Sequence, residues 1–295
     1  IYNKSFGKPT YQSEDSISDG HLYDLASLTK ILGTLPLIMK MEQEGQLRLN
    51  DTFKDLIPEY EESELKDVTV LKALSHYGRL PAWIAFYVDT LNDKRKPSEE
   101  YYNAYPTENH SIKVFDDMYL TKAYQDSIYN RIGRQELKSN RYRYSDVAYY
   151  VFKKYIEETY GQGLDTLVQN YFYRSLGANY TVYNPLEKFN RSQIVPTEED
   201  GYFRYQTVQG YVHDMGAAMQ GGVGGHAGLF SNANDVAKLM QMYLQGGYYG
   251  GDRYLNARTV EKFNKCYFCD KEVRRGVGFD KPQLKESGPT CGCVS

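Results

Sequence analysis

Apolar residues recur at helical spacing along much of the chain, and the strongest such segment begins at Ser27. From Ser27 to about Glu44 they fall at intervals of three and four residues, which places them on one face of a helix. Gly45 is well placed to end this helix in a left-handed conformation. Pro36 lies inside the segment and predicts a kink or a local irregularity, because proline lacks the amide hydrogen that an interior turn needs.

The same spacing predicts further helices later in the chain, separated by glycines and other turn-forming residues. The predicted ranges are 145–159, 164–176, 234–245 and 257–264, with short elements opening at 50–52 and 69–75. Residues 1–12 and 277–279 have the composition of short strands. Residues 92–143 are polar and rich in tyrosine with weak periodicity, and we interpret them as a mostly helical or looped insertion.

The composition narrows the class of protein without identifying an activity. Hydrophobic residues make up 41% of the chain and charged residues 25%, a balance too apolar for disorder and too interrupted by charge for a membrane protein. No apolar run approaches the length of a membrane span. The 35 basic and 38 acidic residues give a net charge of -3, so the chain has no excess of positive charge that would attract nucleic acid. We therefore expect a globular protein with no nucleic-acid partner and no membrane span.

A serine three residues before a lysine is a candidate for nucleophilic catalysis, because on a helix the two side chains lie one turn apart on the same face. The chain contains this spacing at Ser5 and Lys8, at Ser27 and Lys30, and at Ser63 and Lys66. Only Ser27 opens a long apolar helix, where backbone N–H groups favour a developing negative charge. A helix-capping serine remains the alternative interpretation of Ser27.

The residues around Ser27 carry a family resemblance. The segment Leu25-Ala26-Ser27-Leu28-Thr29-Lys30 resembles the active-site helix start of the serine β-lactamase and penicillin-binding-protein superfamily. The branch it resembles contains class C β-lactamases, D-Ala-D-Ala carboxypeptidases and related esterases. Three further segments, in the same order as in that branch, resemble its other motifs: 74–81, Tyr144-Ser145-Asp146, and Gly225-His226-Ala227-Gly228-Leu229-Phe230-Ser231. A sub-branch also carries the triplet Val212-His213-Asp214.

The resemblance implies a fold and a domain organisation. The expected fold class is α/β (α+β), with an antiparallel sheet flanked by helices plus a mainly helical lobe. We expect residues 1–295 to form a single β-lactamase-like catalytic domain, with the helical lobe at about 50–225 inserted between sheet-forming ends. The superfamily's third motif, a Lys/His-Thr/Ser-Gly strand, does not follow Phe279. The chain is therefore expected to lack its first and last sheet strands.

The resemblance also implies roles for six residues. Ser27 is expected to be the acylated nucleophile, Lys30 a base or proton relay, and Tyr144 a second proton-transfer group. Asp146 stands where the family has asparagine, and Asp146, Gly225 and His226 are expected to bind substrate. An ionised aspartate cannot donate a hydrogen bond to an amide carbonyl, so esters are expected to be favoured over amides.

The implied function is a serine hydrolase acting on an amide or ester related to β-lactams or cell-wall peptides. The alternative is a catalytically impaired member that binds a peptidoglycan fragment or a partner protein. No cofactor is expected, the substrate is expected to be a small molecule or a peptidoglycan fragment, and a fused or upstream domain is possible in this family. The implied location is periplasmic or extracytoplasmic, with any leader outside this chain.

Four cysteines lie near the end of the chain, at Cys266, Cys269, Cys291 and Cys293. Together they could supply four thiolate ligands to zinc. Disulfides in an oxidising compartment, or free thiols, fit the spacing better, because a Cys-x-Cys arm is unusual for zinc and no zinc-ribbon context surrounds it. No metal site is therefore predicted, and the histidines lack metal-binding spacing.

Overall fold

A computed structural model describes residues 3–282 and shows helices packed around small antiparallel sheets. The α-helices are α1 (Leu35–Gln43), α2 (Phe53–Leu56), α3 (Val70–Leu74), α4 (Tyr124–Gly133), α5 (Val147–Tyr160), α6 (Leu164–Val168), α7 (Arg174–Leu176), α8 (Met215–Ala218), α9 (Ala233–Leu244) and α10 (Ala257–Asn264). The strands are β1 (Tyr23–Asp24), β2 (Tyr102–Asn103), β3 (Ile112–Phe115), β4 (Met118–Leu120), β5 (Val182–Tyr183), β6 (Glu198–Glu199), β7 (Thr207–Val208), β8 (Leu229–Ser231), β9 (Tyr248–Tyr249) and β10 (Asp252–Arg253).

The predicted helix from Ser27 forms, but in three segments of different pitch. A 3₁₀ turn (Ala26–Leu28) is followed by a π-helical turn (Lys30–Thr34) and then by α1, with Pro36 in the first turn of α1. Pro36 has no N–H to donate to the preceding turn, and the Leu32 carbonyl, four residues earlier, accepts from the Tyr173 hydroxyl at 2.9 Å. Gly45 follows the helix at φ +76°, as predicted.

A three-stranded antiparallel sheet joins distant parts of the chain beside this helix. Strand β8 pairs with β1, opposing Tyr23 to Ser231, and with β5, opposing Tyr183 to Leu229. The pairing places the residues just before Ser27 next to the glycine-rich segment that precedes β8. Helix α5 packs behind them as a central core helix, and its residues from Val147 through Phe152 are all buried.

The structure adds a sheet to one local prediction and corrects two others. Residues 92–143 are mostly loop and helix, as predicted, but β2, β4 and β3 also form a second antiparallel sheet ahead of α4. These strands have two to four residues each, too few for an alternating pattern to stand out. Residues 3–12 form bends and turns rather than a strand, interrupted by Gly7 at φ +84°. Residues 277–279 lie in a turn at Gly278, bracketed by a single bridge between Arg275 and Asp280.

Two further findings concern the cysteines and the membrane-spanning capacity of the helices. Cys266 and Cys269 form a disulfide, so this pair does not supply free thiolates for a zinc site. Cys291 and Cys293 lie outside the described residues. Within residues 3–282, no helix combines the length and the apolar character that crossing a bilayer requires.

Candidate active site

Ser27 and Lys30 meet where the 3₁₀ turn passes into the π-helical turn. Lys30 Nζ donates a hydrogen bond to Ser27 Oγ at 2.8 Å. Ser27 is exposed, whereas Lys30 is buried, with 3% of its side chain accessible. The predicted one-turn pairing is thus present, with the hydroxyl facing solvent and the amine enclosed by protein.

The turn that presents Ser27 is strained at the preceding residue. Ala26 has φ +44°, a left-handed conformation that costs an alanine roughly 1 kcal/mol or more. Its amide donates to Asp24 Oδ1 at 2.8 Å, and the other carboxylate oxygen, Oδ2, accepts from the His213 amide at 2.7 Å. Burial raises the pKa of Asp24, although these two backbone donors act in the opposite direction. The Asp24 carboxylate therefore holds the turn in its strained shape.

Lys30 Nζ has two further polar neighbours besides Ser27. Asp146 Oδ1 lies 2.6 Å away as an ion pair, and the His226 backbone carbonyl accepts a hydrogen bond at 3.2 Å. Nζ also lies 5.1 Å from the centre of the Tyr144 ring and 5.5 Å from that of Tyr149. Oxygen acceptors and aromatic faces thus surround the Lys30 side-chain nitrogen.

Tyr144 lies at the edge of the site, between a buried histidine and an arginine. The His76 ring packs on the Tyr144 ring with centroids 4.4 Å apart, and the Arg275 guanidinium lies 5.5 Å from the centre of the Tyr144 ring. Arg275 also donates to the Tyr142 hydroxyl at 3.0 Å. About a third of Tyr144 is exposed, and the residue lines the same cavity as Ser27.

His76 holds the Tyr144 segment by its ring and by its backbone. Its Nδ1 accepts from the Ser145 amide at 3.1 Å, and its carbonyl accepts from the Arg143 amide at 2.9 Å. Burial lowers the pKa of His76 to about 3, aided by the positive charges of Arg275 and Lys30. The ring is therefore neutral at physiological pH, as its acceptor role at Nδ1 requires.

Gly225 and His226, predicted to bind substrate, are buried behind Lys30 and do not line the cavity that contains Ser27. The Gly225 carbonyl accepts from Thr34 Oγ1 at 2.6 Å. A Cβ at Gly225 would overlap the Tyr149 carbonyl oxygen of α5. Asp146, also predicted to bind substrate, directs Oδ1 at Lys30. Of the six predicted residues, Ser27, Lys30 and Tyr144 line this cavity, Asp146 and His226 line a second, smaller one, and Gly225 lines neither.

His226 is fixed from its far side by Asp214. Its Nε2 lies 2.8 Å from Asp214 Oδ1, and its ring stacks on Tyr150 with centroids 4.5 Å apart. Burial on its own would raise the pKa of Asp214. The charge of His226, its hydrogen bond and the Ala217 amide outweigh that effect and hold this pKa well below the usual range. The carboxylate is therefore ionised at neutral pH.

A cavity of about 740 Å³ opens in front of Ser27. Its floor contains Ser27, Lys30 and Tyr144, and α9 and α10 supply a largely apolar wall that includes Leu244 and Val260. In the part of the chain that the structure describes, no group of three or more His, Cys, Asp or Glu side chains is arranged to hold a metal ion. The groups at the site can supply a nucleophile, a cation and a hydroxyl to one bound molecule.

Sequence reasoning did not assign roles to Asp24, His76, Asp214 or Arg275. His76 and Asp214 lay inside segments that carried the family resemblance, and that position was the available signal for them. Asp24 and Arg275 carried no signal, because their contacts depend on the folded arrangement of distant segments.

Comparisons with known proteins identify the family and the fold. A family model described as Beta-lactamase matches residues 1–280. An Escherichia coli K12 protein named "Putative D-alanyl-D-alanine carboxypeptidase" is 34% identical over 305 residues, covering 94% of this chain and 62% of the relative. The chain thus spans less than two thirds of the length of this curated relative.

Solved structures share the fold at low sequence identity. An octameric penicillin-binding protein homologue from Pyrococcus abyssi has a TM-score of 0.62 and 20% identity, covering 90% of this chain and 54% of that one. A class C β-lactamase from Rhodobacter sphaeroides has a TM-score of 0.57 and 14% identity, covering 87% of this chain and 60% of that one. These similarities confirm the predicted fold class, an α/β fold of the β-lactamase and transpeptidase type.

Proposed function

The chain belongs to the β-lactamase family, and from this premise we propose that it is a serine hydrolase that forms an acyl-enzyme on Ser27. The observation that carries the proposal is the 2.8 Å hydrogen bond between Lys30 Nζ and the exposed Ser27 hydroxyl, at the floor of a cavity large enough for a small molecule. A serine with a basic group in hydrogen-bond reach is the arrangement that nucleophilic acyl transfer requires.

In acylation, Ser27 Oγ attacks the substrate carbonyl carbon and its proton passes to Lys30 Nζ. The lysine must first release a proton, and the Asp146 carboxylate at 2.6 Å is the nearest group that can accept it. Tyr144 donates a proton to the leaving nitrogen or oxygen as the bond to the carbonyl carbon breaks, and the proton that Lys30 took from Ser27 replaces it. Water then attacks the ester on Ser27: its hydroxyl stays on the released acid, and its other proton passes through Lys30 to Ser27 Oγ. Asp146 finally returns the first proton to Lys30.

The substrate we propose is an amide or ester related to β-lactams or to D-alanyl peptides of the cell wall. The name of the Escherichia coli relative supports the peptide class, and the mixed polar and apolar lining of the cavity suits a short peptide. We also propose a periplasmic or extracytoplasmic location. The Cys266–Cys269 disulfide supports it, because disulfides persist in oxidising compartments.

A second candidate function is binding without turnover. Asp146 pairs with Lys30 at 2.6 Å, and a lysine engaged by a carboxylate is less available to accept the proton of Ser27. In that case the cavity would hold a peptidoglycan fragment or a partner segment without forming a covalent bond.

Intact-mass analysis of the full-length protein, after exposure to a fluorophosphonate and separately to penicillin, separates the two candidates. The hydrolase should gain the mass of one adduct, located on Ser27 by peptide mapping. Ser27→Ala should abolish the adduct, while Ser63→Ala should retain it, because Ser63 Oγ donates to the Gly133 carbonyl far from this cavity. Absence of any adduct would favour binding, and equal loss in both variants would contradict the assignment of Ser27.

A further inference from the structure

We propose that Asp24 and Asp214 are positioning residues that fix Ser27 and Lys30 relative to each other, through the two-residue connection His213–Asp214. The proposal rests on the proposed function, in which the distance from Ser27 Oγ to Lys30 Nζ determines the rate of acylation. Neither carboxylate lines the cavity in front of Ser27. Their hydrogen bonds go to the backbone and to His226, not to the side chains of Ser27 or Lys30.

Asp24 acts on the nucleophile. Its two carboxylate oxygens accept separate backbone amides, Oδ1 from Ala26 at 2.8 Å and Oδ2 from His213 at 2.7 Å, across 189 residues of chain. The first bond holds the left-handed turn at Ala26, which sets the direction of Ser27. The second bond ties that turn to the connection His213–Asp214.

Asp214 acts on the lysine from the other end of the connection. Its Oδ1 accepts from the Ala217 amide at 2.7 Å, which anchors it at the start of α8, and it pairs with His226 Nε2 at 2.8 Å. The paired His226 ring stacks on Tyr150, so the residue has little freedom to rotate. Its backbone carbonyl is consequently held at 3.2 Å from Lys30 Nζ.

The connection itself is braced by the β6–β7 hairpin region. The buried Arg204 donates from Nη2 to the His213 carbonyl at 3.1 Å, and Glu198 Oε2 lies 3.3 Å from His213 Nε2. His213 therefore has contacts through its amide, its carbonyl and its ring. A connection fixed at so many points can transmit a displacement at one carboxylate to the residue held by the other.

Asparagine is an informative substitution because it keeps the volume of aspartate and changes one oxygen into a donor. At Asp24, one of the two backbone amides would then face an NH₂ group instead of an acceptor. At Asp214, the amide would lose the charge that pairs with His226. Asp235→Asn is the control, because Asp235 likewise accepts a backbone amide, from Tyr180 at 2.6 Å, and forms an ion pair with Lys238 at 2.7 Å, and it is more buried than the half-buried Asp24 and Asp214.

The test measures fluorophosphonate labelling of Ser27 in the full-length protein over a range of probe concentrations. For Asp24→Asn and Asp214→Asn we expect the maximal labelling rate to fall about 10–100-fold, while the concentration for half-maximal rate changes little. Asp235→Asn should keep the parental maximal labelling rate, even though its melting temperature falls by about as much as that of the other two variants. Equal maximal rates in all four proteins, or rates that follow melting temperature alone, would overturn the proposal.

A second readout does not depend on labelling of Ser27. If the parent protein is not labelled, that result contradicts the proposed function, and the positioning role can still be tested as follows. In Asp24→Asn, hydrogen exchange at the Ala26 and His213 amides should accelerate. In Asp214→Asn, trace acetylation of Lys30 should increase relative to Lys153, a buried lysine paired with Glu157 at 2.6 Å. Unchanged exchange at both amides and an unchanged ratio of Lys30 to Lys153 would overturn the positioning role.

Discussion

Lys30 contacts both the hydroxyl it would activate and a carboxylate. Asp146 provides that carboxylate at 2.6 Å, at a position where the family resemblance implies an asparagine. The sequence suggests that this difference acts on the substrate carbonyl. The geometry places the carboxylate against Lys30 instead, as its partner in an ion pair.

Asp146→Asn separates these two interpretations. Removing the anion breaks the ion pair with Lys30, so we expect the rate of Ser27 labelling to change while the ratio of ester to amide hydrolysis stays the same. The measurements are the labelling rate and the two hydrolysis rates in both proteins. An unchanged labelling rate, together with a changed ratio of ester to amide hydrolysis, would instead assign Asp146 to the substrate.

His76 should make the protein sensitive to acid. Its pKa is about 3 in the folded protein against 6.5 for a free histidine, so below pH 6.5 the unfolded chain binds a proton that the folded chain does not. The contribution to stability is complete above pH 6.5 and is lost as pH falls towards 3, at up to about 1.4 kcal/mol per pH unit. His76→Asn should flatten this part of the curve of unfolding free energy against pH.

The control for that measurement is His21→Asn, which removes a less buried histidine whose Nδ1 accepts the Ser18 amide at 2.9 Å. Urea unfolding at several pH values gives the free energy for each protein. If the difference between parent and His76→Asn is the same at every pH, the Ser145–His76 hydrogen bond does not depend on a neutral ring.

At the scale of elements, the helical segment that contains Lys30 is irregular where it meets β5. The π-helical turn Lys30–Thr34 contains Gly33, and a Cβ there would come within 2.5 Å of the Tyr183 hydroxyl. Single π-helical turns of this kind are frequent at functional sites. The close packing leaves the helix little room to slide along the sheet. It therefore helps to fix the position of Lys30 along the helix axis relative to His226.

The segment before β8 depends on glycine at Gly225, where a methyl group would overlap the Tyr149 carbonyl oxygen of α5. We expect Gly225→Ala to push this segment away from α5, weaken the contacts to Thr34 and Lys30, and lower the unfolding free energy by roughly 1–3 kcal/mol. Ser27 labelling should slow in parallel. Denaturant unfolding and labelling rates provide the measurements.

Gly201→Ala is the control, because nothing lies within 4 Å of a Cβ at Gly201. It should change stability by no more than about 0.5 kcal/mol. If the two variants are equally stable, the approach of the Gly225 segment to α5 is looser than the structure indicates.

The elements that the sequence predicted well are long and have a clear apolar face. Helices α5, α9 and α10 fall within one or two residues of their predicted ranges, and Asn232 caps α9 by accepting the Asp235 amide. The β2–β4–β3 sheet was missed because strands of two to four residues carry little periodicity. The 3₁₀ and π-helical turns around Lys30 were also beyond prediction, since their pitch is set by packing against β5 and β8.

At the scale of the whole molecule, the site is assembled from segments far apart in the chain. Lys30 and His226 are separated by 196 residues, Thr29 and Leu229 by 200, and Asp24 and His213 by 189. A single sequence shows which residue types are present but not which distant segments meet. The serine and lysine were predictable because they share one helical turn, whereas the carboxylates that position them were not.

This dependence on long-range contacts predicts how the site is lost during unfolding. The segments that build the site hold one another in place, so none can loosen alone without breaking contacts to the others. They lie near residues 24–30, 76, 144–146, 213–214 and 226. We therefore expect Ser27 labelling and far-ultraviolet circular dichroism to decline at the same urea concentration, as in a cooperative transition. Labelling that disappears at clearly lower urea than the helical signal would instead show that the site opens as a separate unit, and that the contacts through His213–Asp214 do not tie it to the core.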